Sequence, residues 1–226
     1  MKLFGSMLSV PLLLSAVAAN AADLSWNGGG NTMYSPAPAT GWGGFYAGIN
    51  AGYGWGTLTR EPAGGGVEVE NNSDGFQFGG QAGYNVDMGG FILGAEADLN
   101  WSNIGYTEEI PGIGSFESGI DYYGTIRGRA GMAFGAVMPF VTAGFAAGRG
   151  SAIITDPANV VTSQSANHVG WTLGGGLEAQ ATENISFKAE YLYMNLGTQA
   201  YNGLPTGNTD VTQNFSVIRA GINYKF

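Results

Sequence analysis

The last thirteen residues of the chain, Asn214 to Phe226 (NFSVIRAGINYKF), alternate in character with a period of two. Counting back from Phe226, Tyr224, Ile222, Ala220 and Ile218 share one face, while Lys225, Asn223, Gly221, Arg219 and Val217 share the other. Successive side chains of a strand point to opposite sides, so this stretch predicts a ribbon with one greasy and one mostly polar surface. Seven further segments repeat the pattern, at 44–56, 75–87, 91–102, 120–134, 138–148, 168–181 and 185–196. The third of them is the cleanest. Phe91, Leu93, Ala95, Ala97, Leu99 and Trp101 line one face, and Glu96, Asp98, Asn100 and Ser102 line the other. A helix of period 3.6 would scatter these residues around its circumference.

The connections alternate as well. Links 88–90, 135–137 and 182–184 are short, whereas 57–74, 103–119, 149–167 and 197–213 are long and rich in Gly, Asn, Thr and acids. Antiparallel barrels that cross the outer membrane have tight turns at one end and longer loops at the other. Segments of this length suit the roughly 9–11 tilted residues that span a bilayer. An even strand count allows the sheet to close, which removes the edges that lipid cannot satisfy. The predicted fold is therefore all-β: an eight-stranded antiparallel up-and-down transmembrane β-barrel with short periplasmic turns, long extracellular loops and both chain ends in the periplasm.

Composition narrows the picture further. Only 11% of the 226 residues are charged, against about 25% in typical soluble domains. The chain has 40 Gly and no Cys, which excludes a disulfide framework and thiol catalysis. A formal charge of −9 argues against nucleic acid as a partner, because phosphate binding needs clustered Lys and Arg. Residues 1–21 read as a secretory signal peptide: Lys2 supplies the positive start, Leu3 to Val17 the apolar run and Ala19-Asn20-Ala21 the cleavage site. Lys2 is the only charged residue of that segment, so its removal takes the charge from −9 to −10. Residues 22–43, with Gly, Pro, Ser and Asn but no periodicity, read as a flexible lead-in, and 44–226 as the barrel domain.

The few charges test the alternation. Arg127, Arg129, Lys188, Arg219 and Lys225 fall on inward phases, as do Asp87, Glu96, Asp98, Glu178 and Glu190. An eight-stranded barrel has an interior just wide enough for side chains to fill it. Glu96, Asp98, Arg127, Arg129, Glu178, Lys188, Glu190 and Arg219 are thus expected to form a buried network of ion pairs that plugs the barrel, since charges withdrawn from water must be matched. A narrow or gated ion path is the competing reading of the same residues. Trp55, Trp101, Trp171 and Tyr193 sit near loop-side strand ends, and Tyr84, Phe91, Phe134, Phe187, Tyr224 and Phe226 near turn-side ends, which predicts two interfacial girdles. His168 is the sole histidine, and no spacing ties it to a nucleophile and an orienting carboxylate. Neither a catalytic site, nor a metal site, nor a cofactor is expected.

The lead-in YSPAPAT, the segment GWGGFYAGINAGYGWG, the pair YYGTIRGRAGMAFG and MPFVTAGFAAG, and the terminal SVIRAGINYKF together resemble the small OmpA-type, porin-like outer-membrane surface antigens, the outer-membrane immunogenic proteins of Gram-negative bacteria. The resemblance covers nearly all of the chain past residue 21. It implies an integral outer-membrane barrel that supports envelope integrity and presents antigenic loops. Small-channel activity, or a receptor role toward haemin or a host molecule, is the alternative it carries. Its implied partners are outer-membrane lipid and lipopolysaccharide, and the barrel-assembly machinery, which would read Ile222, Tyr224 and Phe226 as a C-terminal assembly signal. No peptidoglycan-binding domain follows Phe226, so wall anchoring of the longer OmpA type is not expected.

Overall fold

Strands whose outer residues are apolar and whose inner residues are polar can bury both faces only by closing around the polar side. The computed structural model, which describes residues 41–62, 69–110, 114–155, 161–201 and 209–226, is such a closed barrel of eight antiparallel strands. They are β1 (Gly44–Pro62), β2 (Val69–Asp87), β3 (Phe91–Ile110), β4 (Gly114–Met132), β5 (Val137–Thr155), β6 (Val161–Gln180), β7 (Ile185–Tyr201) and β8 (Thr209–Lys225). Each strand pairs with its sequence neighbours, and β1 closes the ring on β8 from Tyr46↔Lys225 to Pro62↔Thr209. The predicted signal peptide and most of the lead-in, residues 1–40, lie outside the described residues.

The outer wall follows the predicted phases. Ile49, Phe76, Ile126 and Phe145 are 69–74% exposed, and the same apolar band runs around all eight strands. In water this would be an untenable patch; against hydrocarbon it is what a bilayer requires. On the loop side the band stops abruptly, with Asp74, Asn103, Arg149 and Asn167 exposed on the outer face. Aromatic pairs mark that border: Phe78 stacks on Trp101 at 5.8 Å and Trp171 meets Tyr193 at 5.5 Å. Others mark the turn side, with Phe45 and Tyr84 at 4.5 Å and Tyr224 and Phe226 at 5.3 Å.

The long loops of the sequence reading are largely strand. Strands of 17–20 residues, tilted as barrel strands are, climb roughly 45–50 Å, about twice the height of the apolar band of such barrels. Most of 57–74, 103–119, 149–167 and 197–213 continues the ladder. Outside hydrocarbon nothing demands apolar residues on the outer face, so pairing goes on with Thr, Ser, Asn and Gly and without the alternation that reveals a strand. A register shift at Ile120/Tyr122 also breaks the phase of β4. Tyr122 faces outward, whereas Ile120, two residues away, is buried. An extra residue in one strand has this effect.

The interior is layered. At the turn end Trp42, Ile92 and Met138 form a small apolar cluster. Charged side chains occupy the middle. Above them Ile104, Ile120, Tyr123, Ala146, Leu192, Met194, Leu196, Phe215 and Val217 pack into a second apolar layer. Room for long side chains comes from small residues opposite. A Cβ on Gly83 would stand 2.4 Å from the Tyr46 hydroxyl, so only glycine lets that ring lie across the lumen.

Gly41 to Gly43 fold across the turn-end mouth. The Trp42 indole Nε1 donates to the Gly135 carbonyl at 3.2 Å, and Asn85 Nδ2 donates to the Trp42 carbonyl at 3.2 Å. Asp87, expected inside the barrel, instead sits at the β2–β3 turn and is exposed. Its Oδ1 accepts from the Gly89 and Gly90 amides, whose φ of +80° and +98° the tight reversal requires. Lys225, also expected inside, reaches from the end of β8 to the Gly41 carbonyl. Strand ends lie beyond the enclosed lumen, so their charges turn to the backbone of the mouth.

Two outcomes follow. Ile126→Arg, which places a cation in mid-band, is expected to cost about 2–4 kcal/mol of folding free energy in lipid vesicles, while Thr107→Arg, exposed above the band and opposite Glu117, costs almost nothing. Equal effects in a urea titration of the two variants would show that the band does not face hydrocarbon. Trp42→Ala removes the cap of the turn-end cluster and is expected to cost about 3–5 kcal/mol in the same titration; an unchanged midpoint would mean that Gly41–Gly43 do not seal the mouth.

Candidate functional site

The middle of the barrel gathers the eight charged residues singled out in the sequence. Glu96 and Asp98 come from β3, Arg127 and Arg129 from β4, Glu178 from β6, Lys188 and Glu190 from β7, and Arg219 from β8. All are buried, with 1–7% of their surface exposed. Four carboxylates face four cations, so among the described residues the buried charges balance.

Arg127 is the hub. Its Nη2 donates to Glu96 and, at 2.8 Å, to Asp98 Oδ2, while its Nη1 donates to Glu190 and, at 3.1 Å, to Thr142 Oγ1. Its Nε donates to Thr125 Oγ1 at 2.9 Å, which leaves every guanidinium nitrogen engaged. Arg219 enters from the opposite side of the ring. Its Nε donates to Glu190 Oε2 at 2.8 Å and its Nη2 to Asp98 Oδ2 at 3.1 Å. Lys188 Nζ lies 2.8 Å from both oxygens of Glu96. Charge-assisted bonds of this length are the strong ones, and the forked guanidinium suits shared carboxylates.

A second group is joined to the first through Tyr46. The Tyr46 hydroxyl donates to Glu96 Oε2 at 2.7 Å and accepts from Arg129 Nη1 at 3.1 Å. Arg129 Nη2 donates to Glu178 Oε2 at 2.6 Å, and its guanidinium lies 4.4 Å from the Phe140 ring centroid, within cation–π range. Ser186 and Asn223 donate to Glu178 Oε1 at 2.6 and 2.9 Å. From Asn223 a file of amides runs up the β1–β2 wall: Gln81 donates to Asn223 at 2.6 Å, Asn50 to Gln81 at 2.7 Å and Gln77 to Asn50 at 3.1 Å. Chemically, the arrangement matches charge with charge and leaves its carboxylates saturated with donors.

Ile222, Tyr224 and Phe226 lie on the outer wall at the turn end, 46%, 51% and 77% exposed. His168 is fully buried in β6. Among the described residues no cluster of three or more His, Cys, Asp or Glu is placed to hold a metal ion. Sequence reasoning missed two features that complete the site. Trp42 lay in a segment with no periodicity, and its neighbour pattern GWGG carries no strand signal. The upper apolar layer was only partly visible: Leu192, Met194 and Val217 fall on inward phases, but Ile104, Leu196 and Phe215 lay beyond or at the edge of the recognised pattern.

Comparison with known proteins bears on this geometry. Residues 9–226 match the family model for the outer membrane protein beta-barrel domain. The chain is similar to the 31 kDa outer-membrane immunogenic protein of Brucella melitensis, with 32% identity over 229 residues, covering 93% of this chain and 95% of that protein. It is also similar to the 25 kDa outer-membrane immunogenic protein of the same organism, with 34% identity over 192 residues, covering 84% and 82%. Among solved structures, Neisserial surface protein A aligns over 80% of this chain and 97% of its own, at 17% identity and a TM-score of 0.46. Matched over all the strands described above and related end to end to immunogenic proteins of one compartment, the chain belongs to the outer membrane protein beta-barrel domain family.

Proposed function

We propose that this outer-membrane barrel acts as a closed structural and surface-antigen element of the envelope, neither an enzyme nor a steady channel, with its interior plugged by the charge network. The single observation that supports this reading is the position of that network. Four carboxylates and four cations, paired throughout, lie between an apolar cluster capped by Trp42 and a second apolar layer around Tyr123, Leu192 and Phe215. An ion entering from either end would have to cross a dry layer and then displace a bonded partner. Burial of charges that already match one another offers no free site to a passing ion.

In this reading the turn end and both chain ends lie in the periplasm and the loop end lies outside the cell. The apolar wall meets outer-membrane lipid and lipopolysaccharide. Exposed Ile222, Tyr224 and Phe226 serve the barrel-assembly machinery as an assembly signal, an alternate-residue apolar edge of the kind that strand-pairing partners read. The relatives' description as immunogenic fits a wall that projects well beyond the lipid.

Planar-bilayer recordings on pure refolded protein test the closed state. Rare, irregular current is expected, and a steady unitary conductance would overturn the reading. The network itself is tested by Arg127→Ala, which leaves three carboxylates without their hub; a loss of about 3–5 kcal/mol is expected from urea midpoints, against about 0.5 kcal/mol or less for Arg149→Ala on the exposed wall. Equal losses would show that burial of the network contributes nothing special.

A further inference from the structure

The outer wall is not evenly filled within the apolar band. Across β3 to β6 the register aligns outward side chains in rows. One row is Ala97, Ile126, Phe145 and Trp171, and the next toward the loops is Leu99, Gly124, Ala147 and Val169. In that second row the two middle strands carry only a hydrogen and a methyl, with larger neighbours on both sides and below. The result is a groove of about 560 Å³ on the outer face. A third row closes its loop-side end with Trp101, Tyr122, Arg149 and Asn167, all exposed. From Phe145 to Arg149 the strand runs about 13 Å, most of one leaflet's half of the roughly 30 Å hydrocarbon core.

A second groove, of about 830 Å³, lies across β1, β8 and β7, where Ala51, Ala220 and Ala189 align. It is the larger of the two, but its loop-side surroundings differ in charge. Tyr53 follows Ala51 toward the loops, and its hydroxyl donates to Asp74, an exposed carboxylate. The first groove ends instead on Arg149, the one exposed cation of the loop side among the described side chains. Arg149 Nη2 donates to a neutral partner, Ser165 Oγ, at 2.9 Å, which leaves its charge unmatched there. Asp121, next to Tyr122 in sequence, accepts from Ser151 Oγ at 2.9 Å.

We propose that the groove across β3 to β6 holds one tail of a membrane lipid whose anionic phosphate headgroup pairs with Arg149. Position and charge together select this occupant. The groove lies within the apolar band, so what fills it is hydrocarbon, and the cation at its end stands level with Trp101 and Tyr122, where headgroups begin. Phosphate suits a guanidinium, whose fork can meet two of its oxygens. Tyr122 and Asn167, on either side of Arg149, bring a hydroxyl and an amide to the same level. Hydrocarbon alone would favour the larger groove, and the charge at the rim decides for the smaller. The proposal rests on the reading that the apolar wall meets lipid, which the Ile126→Arg comparison tests separately. It does not depend on the plugged lumen.

The test uses the full-length protein refolded in detergent micelles. It is titrated with dioleoylphosphatidylglycerol or, with the same tails, dioleoylphosphatidylcholine, and native mass spectrometry counts the lipids retained. A single phosphatidylglycerol is expected to bind saturably, about fivefold more tightly than phosphatidylcholine. Arg149→Gln should abolish that preference. Ala147→Phe, which fills the groove from the lipid side, should weaken phosphatidylglycerol about fivefold, while Ala220→Phe in the other groove leaves it unchanged. A preserved mobility difference between boiled and unboiled samples shows that each variant is folded. Equal retention of the two lipids would overturn the proposal, as would an Arg149→Gln variant that keeps the preference. So would Ala147→Phe without effect, Ala220→Phe acting as strongly as Ala147→Phe, or a barrel that pairs with a second copy and retains no lipid. If Ile126→Arg proves harmless as well, the lipid-facing band itself is at fault; if it is costly, this site alone fails.

Discussion

A charge withdrawn from water inside a narrow barrel must meet its opposite, and this constraint shapes the rest of the molecule. Backbone ladders join each strand only to its neighbours, so they define a ring without fixing what lies across it. The ion pairs supply the braces. Arg127 on β4 holds Glu190 on β7, Lys188 on β7 holds Glu96 on β3, Arg219 on β8 holds Asp98 on β3, and Arg129 on β4 holds Glu178 on β6. A one-residue slip of β4 would send Arg127 and Arg129 to the lipid face and Ile126 into the lumen. The network thus specifies register as much as it stabilises it. Hydrophobic residues alone would tolerate several slipped barrels.

The two apolar layers make that network worth more. Pairing is strong where the surroundings are dry, and each isolated charge is then correspondingly costly. Trp42 with Ile92 and Met138 excludes water at the turn end, and Tyr123, Leu192, Met194 and Phe215 exclude it toward the loops. On the proposed closed state, the same layers that strengthen the ion pairs lie across the path through them. On that proposal stability and closure have one cause, and a barrel of this width that conducted would have to give up part of both.

How much was legible in the sequence follows from which environment acted on each residue. Leu93, Ala97 and Leu99 against Glu96 and Asp98 revealed strand, phase and lumen at once, because hydrocarbon and polar interior impose opposite demands on successive positions. The membership of the charge network followed from the same phases. Its pairing did not: that Lys188 reaches Glu96, although Glu178 stands opposite it on the neighbouring strand, depends on how the closed ring is staggered, and no local pattern encodes that. Trp42 was hidden because a single residue in a Gly-flanked stretch has no period. The outer halves of the strands were hidden because Thr57, Asn72 and Ser118 meet water on whichever side they point, so a continuous ladder there looks like loop.

That last failure of legibility has a structural counterpart. Within the bilayer an unpaired N–H or C=O costs several kcal/mol, so all eight seams must be complete where the wall is apolar. Beyond Trp171 and Tyr193 water satisfies the same groups at little cost, and a bulge built from Asn195 and Gly197 can part β6 from β7 without unfolding the wall. The barrel is therefore two materials joined end to end. The lower one has its register, phase and charge balance dictated by lipid and a dry lumen. The upper one keeps the strand scaffold but is released from those demands, and its seams become irregular there, between β2 and β3 beyond Asp74↔Gly105 as well as between β6 and β7.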